Sequence, residues 1–255
     1  MKISNKILLG LLAAVVLHII TGMVIVRGSL APGGIGNGDN LVEGNGITKK
    51  VDFPIDDFEH IMIEGNYKVE LSQGTPSAAI EGDENLMEYL DFGLEGDGKT
   101  LSIKAKKGYT LTPKNGIILH ISFEHLESIS SYGFCNFHSD QALNFEDLEI
   151  HMHGAGVVDF PLTANTLELQ INGSCETSFT GTVNLLEANI SGVGQLNANG
   201  LVAKKADLQI TGSGTANVNV TEYLDASTSG SSYINYSGNP KVDMRTSGAS
   251  RISKL

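Results

Sequence analysis

The chain has 255 residues, with 17 Lys+Arg against 29 Asp+Glu for a formal net charge of −12, 30 Gly and no Trp. An acidic chain without a Lys/Arg-rich run is a poor partner for nucleic acid, whose phosphates require clustered cations. Abundant glycine and few long 3.6-period runs argue against a helix bundle and for a β-rich body of one long or two ordinary domains.

In chain order, Lys2 and Lys6 precede a 20-residue apolar run from Ile7 to Val26. At ~1.5 Å per helical residue, such a run matches the ~30 Å hydrocarbon core of a bilayer. The two lysines and the free amine outweigh Arg27 on the far side, so the positive-inside bias keeps the N-terminus cytoplasmic and exports the rest. Residues 1–27 are therefore expected to be an N-terminal transmembrane helix that anchors the chain. The alternative is a signal sequence, for which Ser29-Leu30-Ala31 offers the small-x-small cleavage site; the body would then be secreted. Either reading puts the body in the cell envelope or beyond. Residues 28–47 hold seven glycines and no apolar period, which predicts a flexible tether. The body is residues 48–255.

The body is a repeat. Around Gly65, residues Ile61, Ile63, Tyr67, Val69 and Leu71 alternate with polar neighbours. After it, Glu84 to Tyr89 reads as one helical turn, and Thr100 to Lys104 as a strand. These break the period and predict a polar cap for the stack. Glycine then recurs at 133, 154, 173, 192, 212, 230 and 248, with spacings of 21, 19, 19, 20, 18 and 18. From Gly154 on, the residues six, four and two places before the glycine alternate strictly and are apolar apart from Thr228 and Thr246, as in Leu167-Leu169-Ile171 and Ala206-Leu208-Ile210. Alternation resumes four and six places after it, as in Val158/Phe160 and Ala216/Val218. Each coil of about 18–21 residues is thus strand, glycine corner, strand and turn. Stacked at ~4.8 Å, such coils form an all-β, parallel β-solenoid with a continuous core.

The stretches FEHIMIEGNYKVELSQG, IEGDENLMEYL, LESISSYG, SGSSYINYSGNP and SGASRISKL together resemble the head GIN domain family (DUF2807) of auto-transporter adhesins. The likeness spans roughly residues 50–255. It implies a right-handed, β-helix-like solenoid on exported envelope proteins of Bacteroidetes-type bacteria, with no established activity and no catalytic residues.

Several constellations carry possible chemistry. Five places before the corner glycine stand Glu149, Glu168, Glu187, Asp207, Asp225 and Asp243, an outward column of acids in consecutive coils. Carboxylates ~4.8 Å apart repel by roughly 1 kcal/mol per pair even in water, so a Ca²⁺ ion would relieve the column. The competing reading is a solvated face whose acids meet Lys205, Lys241 and Arg245. Asn197, Asn217 and Asn235 repeat five places after the corner and predict an amide ladder. His151 and His153 share a strand face at metal-pinching spacing but have no third ligand in an obvious position. Cys135 and Cys175 lie in phase but two coils apart, ~9.6 Å by strand spacing, too far to bridge. Both are expected as core-facing free thiols.

No hydrolase, metalloprotease or phosphate-loop motif is present, and no cofactor is implied. The expectation is a non-enzymatic envelope module for adhesion, binding or scaffolding, with a glycan or another envelope protein as partner and the membrane reached through the N-terminal segment. The alternative is a carbohydrate-active enzyme, a lyase or hydrolase, on the same architecture; convergent acids joined to an aromatic platform would mark it.

Overall fold

The computed structural model describes residues 40–96 and 98–255. The expected anchor at 7–26 lies outside the described residues, as does the tether from 28 to 39. Among the described residues, no helix is long and apolar enough to cross a membrane.

The strands, in chain order, are β1 (Asn40–Glu43), β2 (Thr48–Phe53), β3 (His60–Gln73), β4 (Ser77–Asp83), β5 (Leu90–Glu95), β6 (Thr100–Ala105), β7 (Tyr109–Thr112) and β8 (Ile118–Phe123). They continue with β9 (Ser128–His138), β10 (Leu143–Asn144), β11 (Asp147–Gly192), β12 (Gln195–Gly212), β13 (Thr215–Gly230), β14 (Tyr233–Ser237), β15 (Lys241–Gly248) and β16 (Arg251–Lys254). A 3₁₀ segment, Glu84–Tyr89, stands where the helical turn is expected.

From Leu41 on, the described end of the expected tether belongs to the body. Strand β1 pairs with β7, and the Gly46 amide donates to Asp83 Oδ1 at 2.6 Å. Asp83 is buried. Burial alone would raise its pKa, but amides of Lys114, Asn115 and Gly46 donate to the carboxylate and lower it. Gly44 is packed against the same carboxylate, where a side chain would collide. Here glycine serves close approach rather than flexibility.

From β9 onward the coils stack in parallel and in register, forming a β-solenoid of about 6 turns. The corner glycines form one column: Gly65 pairs with Gly133, Gly133 with Gly154, Gly192 with Gly212, Gly212 with Gly230 and Gly230 with Gly248. Inward positions from Leu148 to Thr228 are buried as the alternation requires. Within the core Phe123, Phe145, Phe160 and Phe179 follow one another with ring centroids 5.4–6.4 Å apart, contacts worth about 1 kcal/mol each beyond area burial. The last coil departs from the pattern. Val242 is half-buried, and Met244 and Thr246 are exposed although their phase points inward, because no coil lies beyond them among the described residues.

At the other end the stacking order is not chain order. Strand β3 lies between β9 on one side and β6 and β8 on the other, all parallel. Strands β5 on β6, β4 on β8 and β2 on β4 then run antiparallel and close the stack, as the break in period predicts.

Candidate functional site

The acid column exists in register. Glu187, Asp207, Asp225 and Asp243 are successive Cα partners. At the far end Glu149 pairs with Ser128, which pairs with His60, so the column runs on into a serine and a histidine. Glu168 occupies the same place in the coil of Gly173, which sits directly against Gly154. Burial, and then the charge of Asp225, raise the pKa of Asp207, and the Arg245 guanidinium partly offsets them. Arg245 forms an ion pair with Asp225. Glu168 accepts from Gln170 Nε2 at 2.8 Å, and Glu149 Oε2 lies 3.3 Å from His151 Nε2. Several acids thus have partners on their own or a neighbouring strand.

The Asn ladder is present on the outward face. Asn197, Asn217, Asn235 and Ser253 are successive partners. Asn235 Nδ2 donates to Asn217 Oδ1 at 2.9 Å, and Ser253 Oγ donates to Asn235 Oδ1 at 3.0 Å. A second ladder within β11, Asn184 to Asn165 to Asp147, lies off the glycine phase and has no signal in the repeat.

The histidine pair does not converge. His153 stacks face to face on Tyr132, centroids 5.0 Å apart and planes 8° apart, whereas His151 turns to Glu149. Cys135 and Cys175 are buried and free, with Gly156 in the intervening rung beside Cys135.

Two surface features emerge only in three dimensions. The first runs along the glycine corner. Outward residues Phe134, Val157 and Val193 border a groove of about 460 Å³ floored by Gly156, Cys175 and Gly194. Phe134 is 48% exposed on the groove's rim; Tyr132, 45% exposed, lies on the other side of Gly133, beside Met62, Glu64 and Lys104. The signal in the sequence is an apolar residue directly after the corner, at Phe134 and Val193, where other coils place Ala155, Ser174 and Ser213.

The second is a cleft of about 480 Å³ at the entry to the first coils, whose acids are Asp57, Glu59, Glu127, Glu146, Asp147 and Glu149. Six places before the corner, where later coils carry Leu148, Leu167, Leu186, Ala206 and Leu224, the coils of Gly65 and Gly133 carry Glu59 and Glu127. Phe58 and Leu126, one residue earlier, are buried instead. The Glu127 amide donates to the Glu59 carbonyl at 2.8 Å, which fixes the two acids side by side. His60 Nδ1 lies 2.9 Å from Ser128 Oγ, and Lys99 pairs with Glu59. Ligand atoms of Glu59, His60 and Glu127 all lie within 4.8 Å of one another. The period-based reading passed over this trio because it does not recur.

No curated protein matches the chain. Among solved structures, a "putative lipid binding protein" from Parabacteroides distasonis is 28% identical, with a TM-score of 0.68 over 85% of this chain and 100% of that one. A "putative adhesin" from Bacteroides fragilis, 23% identical, superposes with a TM-score of 0.79 over 84% of this chain and 100% of that one. Another "putative adhesin", from Parabacteroides merdae, is 21% identical with a TM-score of 0.62, over 85% of this chain and 99% of that one. These last two share the fold. The family model described as "Putative auto-transporter adhesin, head GIN domain" matches residues 57–240. With most of the body accounted for by that match, the chain belongs to the head GIN domain family.

Proposed function

We propose that this protein is a cell-envelope binding module that holds an extended glycan along its glycine corner, with the right-handed winding its family resemblance implies and without catalytic activity of its own. The observation that carries this reading is the corner groove. Its floor is backbone and small side chains, and the exposed ring of Phe134 stands on its rim. Flat aromatic faces stack on the apolar faces of sugar rings, and a rigid parallel stack holds the subsites without an ordering cost at binding. Membership in an adhesin family supports the assignment to the envelope. The lipid-binding description of the Parabacteroides distasonis relative supports a binding role in the wider sense and makes acyl chains the competing ligand.

Binding of the full chain to immobilised envelope polysaccharide tests the proposal. Substituting Phe134→Ser is expected to weaken binding by about two- to tenfold, since a stacked ring contributes about 0.5–1.5 kcal/mol. Retention of full glycan affinity by that variant, or capture of fatty acyl chains alone, would overturn it. Anchoring through residues 7–26 is part of the proposal; a mature N-terminus at Pro32 would show cleavage after Ala31 instead.

The acid-lined cleft favours a second reading, a glycan-cleaving enzyme. Its carboxylates lie five to eight residues before the corner and the groove begins just after it, roughly 20 Å along the strand. The acids therefore do not share a subsite with the exposed Phe134 ring; Phe145 is the aromatic residue in their own cleft. Release of reducing sugar by the full chain, lost in Glu59→Gln, would establish the enzyme.

A further inference from the structure

We infer that Glu59, His60 and Glu127 form a binding site for one divalent transition cation of the Zn²⁺ class. Their ligand atoms already lie within 4.8 Å of one another, whereas ligands around a tetrahedral zinc at ~2.0–2.1 Å stand about 3.4 Å apart. Closing that gap requires rotamer adjustment of surface side chains: Glu59 and His60 are half-buried and Glu127 is exposed. The backbone beneath them does not need to move. It is fixed by the parallel pairing of His60 with Ser128 and by the Glu127 amide on the Glu59 carbonyl. Ligands carried on adjacent rungs of a sheet are positioned more rigidly than ligands on loops.

Two further observations separate this trio from an ordinary acidic patch. The repeat places an apolar residue six positions before every later corner, and only the two coils that meet at this cleft replace it with glutamate. The histidine between them is held by a neighbour, with Ser128 Oγ 2.9 Å from Nδ1. A hydrogen bond of this kind fixes ring orientation in metal sites. The donor set selects the cation. Two carboxylates and an imidazole suit zinc and its neighbours; calcium and magnesium take all-oxygen cages, and soft Cu(I) prefers sulfur. Asp57, Glu146, Asp147 and Glu149 add negative charge around the entrance. Lys99, paired with Glu59, is the cation that must be displaced. Three protein ligands leave a coordination place open toward the cleft.

The test uses the untagged full chain in detergent, stripped with chelator and dialysed against ZnCl₂. One zinc per chain is expected to remain bound in the presence of millimolar Ca²⁺ and Mg²⁺. His60→Gln and Glu127→Gln are each expected to weaken binding by at least about a hundredfold, because even outer-shell changes cost ten- to a hundredfold. Lys99→Met is expected to tighten binding, and His138→Gln, remote from the trio, to leave it unchanged. X-ray absorption at the zinc edge of the unsubstituted chain, which does not depend on any variant folding, should show nitrogen and oxygen neighbours with one imidazole. A sulfur shell, displacement of zinc by calcium, or unchanged affinity in both ligand variants would overturn the assignment.

Discussion

A methyl group on the α-carbon of Gly212 would lie 2.5 Å from the carbonyl oxygen of Gly192, one coil away, and the φ of Gly212 is +121°. Both facts forbid a side chain, the first by collision and the second by backbone strain. Because the contact is to backbone, neither neighbour can move aside without breaking the ladder on both flanks. Gly212→Ala is expected to destabilise the body by about 3 kcal/mol or more, measured by chemical denaturation. The same substitution at Gly96, which has nothing within 4 Å of the added carbon but a φ of +67°, should cost only the backbone strain, about 1 kcal/mol.

Removing charge from the acid column should stabilise it. The folded-state pKa of Asp207 is raised by burial and by Asp225. For a carboxylate raised above its unfolded value, the native state binds the extra proton, so stability falls as pH rises through that window. Asp207→Asn is therefore expected to raise the melting temperature at pH 7 by a few degrees at most, under about 1 kcal/mol after solvent screening. The gain should vanish below about pH 3.9, where both forms are neutral there. Because Arg245 already pairs with Asp225, CaCl₂ and NaCl at matched ionic strength are expected to shift unfolding equally. A calcium-specific shift, lost in the Glu187→Gln, Asp207→Asn double variant, would instead assign the ion to the column.

The amide ladder holds the outermost rungs together. Asn235→Ala removes the donor to Asn217 and the acceptor for Ser253, at about 1 kcal/mol per hydrogen bond. Amide exchange should accelerate in β14 and β16 and stay unchanged in β11.

Two thiols are expected to react with Ellman's reagent in denaturant and far more slowly in the native protein. Burial raises the pKa of both Cys135 and Cys175, and the thiolate is the reactive form. Fewer than two thiols on denaturation without reductant would mean a disulfide and a shifted coil register.

The coils between Leu148 and Tyr236 were legible because two independent signals, the glycine spacing and the period of two, agree on one phase. Phase alone does not say what covers a residue. Val242, Met244 and Thr246 share the inward phase of Ile210 and Thr228, yet lack a coil on top of them. Gly65 was placed in its column by local pattern, whereas the position of β3 between β9 and β6 depends on pairings between distant segments that no local pattern carries. The cleft trio was hidden for a related reason. A repeat is read from what recurs, and Glu59 and Glu127 matter because they interrupt it.

The placement of β3 has a consequence for assembly. His60 pairs with Ser128, 68 residues later, while each downstream coil closes on its predecessor after only 18–21 residues. Long closures are slow to find, and the contacts that reward them arrive only when both ends are present. A chain emerging from its N-terminus therefore pairs β3 with β6 and β8 on one side first, and keeps the other side of β3 uncovered until β9 has been delivered. Once that closure is made, the remaining rungs have an edge to grow on and add one after another. Ending the chain before His138 should leave a protease-sensitive fragment, whereas ending it after Gly192 should leave a folded, shorter stack.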